Sequence, residues 1–360
     1  MCAFTRLFGA RDHRACNLID ARDAALGGAM WAGLLHRIET HFLSFDMAVI
    51  GATWISALLG AALAYVAQAE ERPKTLRGFG RFCFPAEILR HPSCRLDAAF
   101  VAAAHFLRPP AIIMVGNLAV AEVTYGGLAR LLGPHAQHAE PRLLRLGILA
   151  LCVVVQDFMT FIVHVWQHRW RSLWELHKVH HSVEFLIPVS NLRFHPVQAI
   201  IDDFGTNIPI GLILGVTSYA FALPVHDSSL IGLDAYFVAN MLSFYHLRHS
   251  HIALRYGWLE RHLMSPAQHQ IHHSREERHW GRNYGLCFSW WDRWYGTIVY
   301  SSPQERFALG LPGDIQGEYD SAAKLFWTPL HNLGVMAAAG TRRLAAASHE
   351  RMRVRVRNTA

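Results

Sequence analysis

Residues 146–181 read LGILALCVVVQDFMTFIVHVWQHRWRSLWELHKVHH, and this stretch decides the fold. An apolar run over 146–163, with Asp157 inside it, leads straight into His164-Val-Trp-Gln-His168 and then into His177-Lys-Val-His180-His181. On an α-helix, residues i, i+3 and i+4 lie on one face, roughly 5–6 Å apart between Cβ atoms. An H-x-x-x-H pair therefore aims two imidazoles at one point. An H-x-x-H-H triplet sets three within an arc of about 100°. A second triplet, His269-Gln-Ile-His272-His273, follows downstream. The pair and two triplets supply eight imidazoles. At about four to six ligands per ion, that number suits two metal ions better than one.

Working outward, the chain has 24 His in 360 residues, 52% hydrophobic residues and 17% charged. A typical soluble domain is about 25% charged. The balance excludes disorder, coiled coil and collagen, and weighs against an ordinary soluble globule. Six Cys with no C-x-x-C pair read as reduced thiols, not a disulfide scaffold. The net charge of +7 comes from Arg residues set between apolar runs, which points to a membrane surface and not to nucleic acid. Residues 1–44 carry charges throughout and lack the apolar core of a secretory signal.

A bilayer core of about 30 Å needs about 20 apolar residues. Candidate spans are 45–69, 111–132 (interrupted by Glu122) and 146–163. Residues 204–223 and 229–245 read as a helical hairpin turning through Leu223-Pro224-Val225-His226-Asp227, and 325–339 as an interfacial helix. The expectation is an all-α integral membrane helical bundle, multi-pass, with transmembrane hairpins. Its parts are an N-terminal segment (1–44), an N-terminal transmembrane region (45–145), a histidine-rich domain (146–300) and a C-terminal segment ending in a basic tail (301–360). Three Arg-rich stretches, 70–96, 167–198 and 247–282, fall on one side by the positive-inside rule, the cytoplasmic side. The side for residues 1–44 stays open.

Further candidates lie between the triplets: His195 in Arg193-Phe194-His195-Pro196, and His246, His249 and His251. Asp157, seven residues before His164 and on the same helical face, reads either as a partner holding a ring nitrogen or as a buried, hydrogen-bonded Asp. Trp290, Trp291, Trp294 and Tyr295 read as an interfacial belt or a channel lining. All-imidazole sites suit Zn, Cu, Fe or Ni. The H-E-x-x-H arrangement of a hydrolytic zinc site is absent. A site of His alone beside lipid fits O2 activation on iron. Two other classes compete. A bis-His haem electron carrier needs His pairs facing each other at membrane depth. A metal transporter places ligands in mid-span. Here the triplets follow the apolar runs into Arg-rich stretches.

These motifs, in this order, resemble the fatty acid hydroxylase/sterol desaturase superfamily of integral membrane di-iron oxygenases. The resemblance covers about residues 150–297. It extends to Leu192-Arg193-Phe194-His195-Pro196, to Phe244-Tyr245-His246-Leu247-Arg248-His249-Ser250-His251-Ile252 (with His251 where Asn is common), and to Asn283-Tyr284-Gly285 followed by Trp291-Asp292-Arg293-Trp294-Tyr295-Gly296-Thr297. It implies a cytosolic His-lined cap, two iron ions, O2 as co-substrate and two electrons per turnover. It also implies hydroxylation or desaturation of an unactivated C–H bond in a membrane lipid such as a sterol, fatty acyl chain or aminolipid. The ligands it implies are His164, His168, His177, His180, His181, His249, His269, His272 and His273, with His249 or His251 left open. The chain shows no G-x-G-x-x-G after a strand and no H-P-G-G. Electrons are therefore expected from a separate ferredoxin- or cytochrome-type donor with its reductase; the Arg residues of 248–282 read either as its docking surface or as a phospholipid-facing positive-inside patch.

Overall fold

The computed structural model describes residues 47–67, 75–107, 116–225, 229–230 and 233–357. The chain divides into Met1–Ile50 and Gly51–Ala360, and the architecture below is that of the second unit. The 1–44 segment and the turn at His226-Asp227 lie outside the described residues, as do residues 111–115 of the second candidate span.

The helices used here are α1 Met47–Ala67, α2 Leu76–Cys83, α3 Pro92–Leu107, α4 Asn117–Leu132, α5 Arg142–Arg169, α6 Arg171–His181, α7 Pro196–Ala220, α8 Ala235–Leu242, α9 Pro266–His272, α10 Trp290–Tyr295 and α11 Ala322–Arg357. Among the described residues the only ladder is two residues long on each side, Ser229–Leu230 antiparallel to Leu233–Asp234, so the fold is all-α in substance. Of the described helices, α5 and α7 are long and apolar enough to cross a membrane. At 28 residues, α5 is about 42 Å long.

Helix α7 shows why such a segment suits lipid. Phe204, Ile208, Leu212 and Val216 recur every fourth residue and are all exposed. A continuous exposed apolar stripe marks a face meant for something other than water. The opposite face, with Ile210, Gly211, Leu214 and Gly215, is buried. It joins Ala121 of α4 and Ile148 and Cys152 of α5 in one apolar cluster. Hydroxyls inside these helices bond back along their own turn. Thr124, Thr160, Thr206 and Thr217 each donate to the carbonyl four residues before, at 2.7–2.9 Å.

Gly211 and Gly215, one turn apart, let α7 and α4 touch backbone to backbone. A Cβ on Gly211 would stand 2.5 Å from the Asn117 carbonyl oxygen, and one on Gly215 2.6 Å from that of Ala121. Small residues at i and i+4 give this approach in membrane helices, where dispersion and not water drives association.

Two expectations change. The proposed second arm of the hairpin, 229–245, is not a span: it holds the short ladder and α8, only eight residues long, about 12 Å. The 204–223 segment begins earlier, at Pro196. His195 caps that helix by accepting the Val197 N–H, and Pro196 sits at the first helical position, where its missing N–H costs nothing. The interfacial helix expected at 325–339 falls in the N-terminal half of α11, whose Leu325 packs with Phe100, Val179, Leu311 and Tyr319.

Three apolar clusters back three of the four histidine-bearing segments. Phe161 and Val165 at the end of α5 pack on Tyr284 and Trp291. Val179 of α6 belongs to the α3–α11 cluster. Leu247 packs on Ala61 and Ala64 of α1.

Replacing Gly211 by Leu should lower the thermal midpoint of the detergent-solubilised protein, with overpacking of about 1–3 kcal/mol as the cause. Gly147, around which a Cβ would meet nothing within 4 Å, is the control, and Gly147→Leu should leave the midpoint within error. Equal effects of the two would remove the close-contact argument.

Candidate metal centre

The last turn of α5 carries His164 and His168 on one face. One non-helical residue, Trp170 (φ −96°, ψ 117°), then redirects the chain into α6, which carries the first triplet. The second triplet lies on α9. Its start is fixed by a capping box: the Ser265 hydroxyl accepts the Gln268 N–H and the Gln268 side chain accepts the Ser265 N–H, with Pro266 at the first helical position. His249 ends a tight turn, Tyr245–His249, entered through Phe244 at φ +48°. That backbone conformation is strained for an aromatic residue and persists only where packing over-determines it.

The nine residues form two groups. His164, His168, His177, His181 and His272 are one; His180, His249, His269 and His273 are the other. Within each group, one potential ligand atom per residue lies within 4.8 Å of all the rest. The groups adjoin: the His181 and His273 rings stack at 4.5 Å, and His177 and His180 at 5.3 Å. Each triplet is split between them. His177 and His181 serve one group and His180 the other; His269 and His273 serve the second and His272 the first. Helical geometry accounts for this. Residues i and i+4 are about 40° apart around the axis, and i+3 and i+4 about 100°. One helix can therefore hand two rings to one focus and a third to its neighbour.

Eight of the nine are buried and His168 is half-buried, with its Nε2 still shielded from solvent. Each ring keeps one buried nitrogen with no hydrogen-bond partner: Nε2 of His164, His168, His177, His181 and His272, and Nδ1 of His180, His249, His269 and His273. In the second group the Nε2 atoms crowd together, His249 to His269 at 3.1 Å and His273 to His269 at 3.2 Å. Two nitrogens about 2.1 Å from one ion and at right angles lie about 3.0 Å apart. The donor set therefore fits a cation in each group. No carboxylate belongs to either group among the described residues.

Burial pushes the basicity of these rings down. His177, His180, His181, His269, His272 and His273 all lie well below the ordinary imidazole range, and His249 falls to about 3. Desolvation is the leading cause and neighbouring His and Arg residues add to it. Neutral imidazole is the form that binds a metal. Backbone carbonyls select the tautomer. His164 Nδ1–H donates to Tyr284 O and His272 Nδ1–H to Arg282 O, each at 2.7 Å, so that both Nε2 lone pairs face the group. His177 Nδ1 meets the Gln198 side-chain amide at 2.9 Å.

The remaining candidates lie outside both groups. His195 caps α7 with Nδ1, and its Nε2–H donates to Phe326 O at 3.2 Å. His246 Nε2 lies 3.1 Å from Met241 Sδ. His251 donates to Phe82 O at 2.7 Å, so His249 and not His251 joins the cluster. Asp157 touches no imidazole. Its oxygens accept from the Tyr236 hydroxyl, the Cys287 and Phe288 N–H groups and the Trp291 indole, at 2.7–3.0 Å. Asp292 likewise accepts from the Tyr284 and Gly285 N–H groups and the Thr297 hydroxyl. These two carboxylates frame the 283–297 segment that presents the Tyr284 carbonyl. Trp291 is thus buried on Asp157, and Trp294 is exposed.

A cavity of about 420 Å³ opens on both groups. His164, His177, His180, His249 and His269 line it together with Gln198, Asp202 and Asp203 of α7. The α7 residues escape sequence reading because no cluster or spacing marks them. Only their position one to two turns after His195-Pro196 could have drawn attention.

Residues 149–297 match the family model for fatty acid hydroxylase, which bears out the superfamily resemblance over that segment. The chain is 27% identical over 167 residues to ornithine lipid hydroxylase OlsE of Rhizobium tropici, covering 46% of each chain. It is 30% identical over 147 residues to alkylglycerol monooxygenase of Caenorhabditis elegans, covering 41% of this chain and 26% of that one. It is 26% identical over 163 residues to Delta(7)-sterol 5(6)-desaturase ERG3B of Gibberella zeae, covering 43% and 42%. The chain therefore spans less than half the length of these relatives. No solved structure matches it.

Acid should unmake the cluster. The folded rings titrate below the unfolded value of about 6.5, so between those values the unfolded chain binds more protons than the folded one. Stability is then complete above pH 6.5 and is lost as the pH falls from there toward the folded values. The thermal midpoint of chelator-treated protein should fall steadily between about pH 6.5 and 4.5. A midpoint flat across that window would contradict neutral burial.

Proposed function

We propose, taking residues 149–297 as a fatty acid hydroxylase domain, that the protein is an O2-dependent oxidoreductase acting on an unactivated C–H bond of a membrane lipid. It would hold two iron ions, with hydroxylation preferred over desaturation. The observation that carries this reading is the pair of adjoining all-imidazole groups, each with inward-facing nitrogens, opening on one cavity. His164, His168, His177, His181 and His272 would hold one ion; His180, His249, His269 and His273 would hold the other. When bound, the irons supply O2 reduction and the oxidising power to break the C–H bond.

The chain's own part is positioning and exclusion. The Tyr284 and Arg282 carbonyls keep a proton on Nδ1 of His164 and His272, which fixes the orientation of those rings and leaves Nε2 as the free ligand atom. Burial of the rings keeps bulk water from the reacting centre. The cavity, between the histidines and α7, would orient the lipid so that one C–H faces the metals. The exposed apolar stripe of α7 would face lipid, from which the substrate would enter. The names of the relatives, covering ornithine lipid, alkylglycerol and sterol, support the lipid class and leave the lipid itself open.

Electrons would come from a separate ferredoxin- or cytochrome-type donor. Of the Arg residues expected to dock it, Arg261, Arg275 and Arg278 are exposed; Arg248 is buried and drops out of that surface. The cytoplasmic orientation rests on the Arg-rich stretches and the positive-inside rule. A bis-His haem reading is disfavoured, because a flat macrocycle needs two rings on opposite sides with open space between, and here each group packs four or five rings on one focus.

His249→Ala should lower bound iron by about half and abolish oxidised lipid, whereas His251→Asn should keep both. Metal analysis, together with lipid mass spectrometry of a host with and without the gene, reads the outcome. Gain of one oxygen atom indicates hydroxylation, and loss of two hydrogens desaturation. A Soret band in the purified protein, or unchanged lipids, would defeat the proposal.

A further inference from the structure

Arg248 precedes His249 and is only 1% exposed. It lines the same cavity as His164, His177, His180, His249 and His269. A guanidinium carries five N–H donors and keeps its charge at any physiological pH. Here it makes one hydrogen bond, from Nη2 to the Ser243 hydroxyl at 3.2 Å, and stands 5.7 Å over the Tyr245 ring. Its Nε and Nη1 have no partner. Among the described residues no carboxylate pairs with it. Asp202, in the same cavity, accepts instead from the Gln167 and Gln198 side-chain amides. The other fully buried arginine among the described residues, Arg193, shows the usual arrangement, with Asp97 and the Ser182 hydroxyl each 2.6 Å away.

A buried cation without a counter-ion is costly, and proteins normally supply one. Among the described residues nothing supplies it here, and the open donors belong to a cavity-lining residue. We propose that Arg248 binds an anionic oxygen of the substrate's head group, a carboxylate or a phosphate. Through its forked donors it would fix which C–H bond is held before the histidine groups. This rests on reading the cavity as the substrate site. It adds that the substrate is an anionic or zwitterionic lipid, and it makes Arg248 a specificity-determining residue. The docking surface for an electron donor, to which its position in the sequence assigned it, is not its place.

The test measures binding without turnover, on the full detergent-solubilised chain as purified, with metal content recorded and no reductant present. Three single-chain probes share a hexadecanoyl tail and differ in the head: hexadecanoylglycine (carboxylate), hexadecanoyl lysophosphatidic acid (phosphate) and monohexadecanoylglycerol (neutral). Wild type should bind one of the anionic probes at least about tenfold more tightly than the neutral one, the gain expected of a charge-assisted hydrogen bond. Which anion wins separates carboxylate from phosphate. Arg248→Gln should erase the preference while keeping affinity for the neutral probe, and Arg248→Lys should retain part of it. Equal binding of all three probes by wild type overturns the proposal, as does an unchanged preference in Arg248→Gln. If that variant fails to fold, the wild-type comparison and Arg248→Lys decide. Because no iron chemistry is read, the result stands apart from whether the protein oxidises lipid.

Discussion

The structure depends on a crowd of uncharged imidazoles facing one another out of contact with water. A lone pair buried without a partner is costly, and nine in one place would unfold most small domains unless something answered them. The second group adds a further crowding, with the Nε2 atoms of His249 and His273 at 3.1 and 3.2 Å from that of His269. That arrangement fits a cation, and desolvation keeps the rings neutral, the form that binds one. Much of the surrounding fold can be read as the means of holding those rings still: the break at Trp170, the capping box at Ser265 and the left-handed turn entry at Phe244.

The acids in the region act as framing. Asp157 and Asp292 spend all four oxygens on backbone, indole and hydroxyl donors, and so fix the loop whose Tyr284 carbonyl orients His164. A carboxylate aimed at a ring would do the same orienting work but add negative charge beside the two histidine groups. Backbone carbonyls orient without that charge. The membrane-facing half follows another economy. Glycines at 211 and 215 let two helices meet at their backbones, and apolar side chains point outward where lipid takes the place of water.

Much of this was legible in the residues. The long apolar segments, the all-α class and the two triplets with their upstream pair follow from hydropathy and from helical period, both local properties. Where local pattern ran short, errors followed. Residues 229–245 looked like a span because their composition is apolar, yet the helix there is eight residues long. His195 and His246 looked like ligands because they sit among histidines, but each is engaged elsewhere. Arg248 looked like part of a basic surface because its neighbours in sequence are basic, and it lies inside.

The sequence by itself determined that histidines would cluster at the ends of apolar helices, because i, i+3 and i+4 spacing puts side chains on a common face whatever the rest of the chain does. Only the tertiary structure decided how they were shared out. It sent His180 to one group and His177 and His181 to the other, chose His249 over His251, turned Asp157 toward a loop 130 residues away, and brought α7 across to close the cavity. The reason is physical. Spacing along a helix fixes angles around its axis, but which direction those angles face depends on contacts between segments distant in the chain, and no local pattern encodes those.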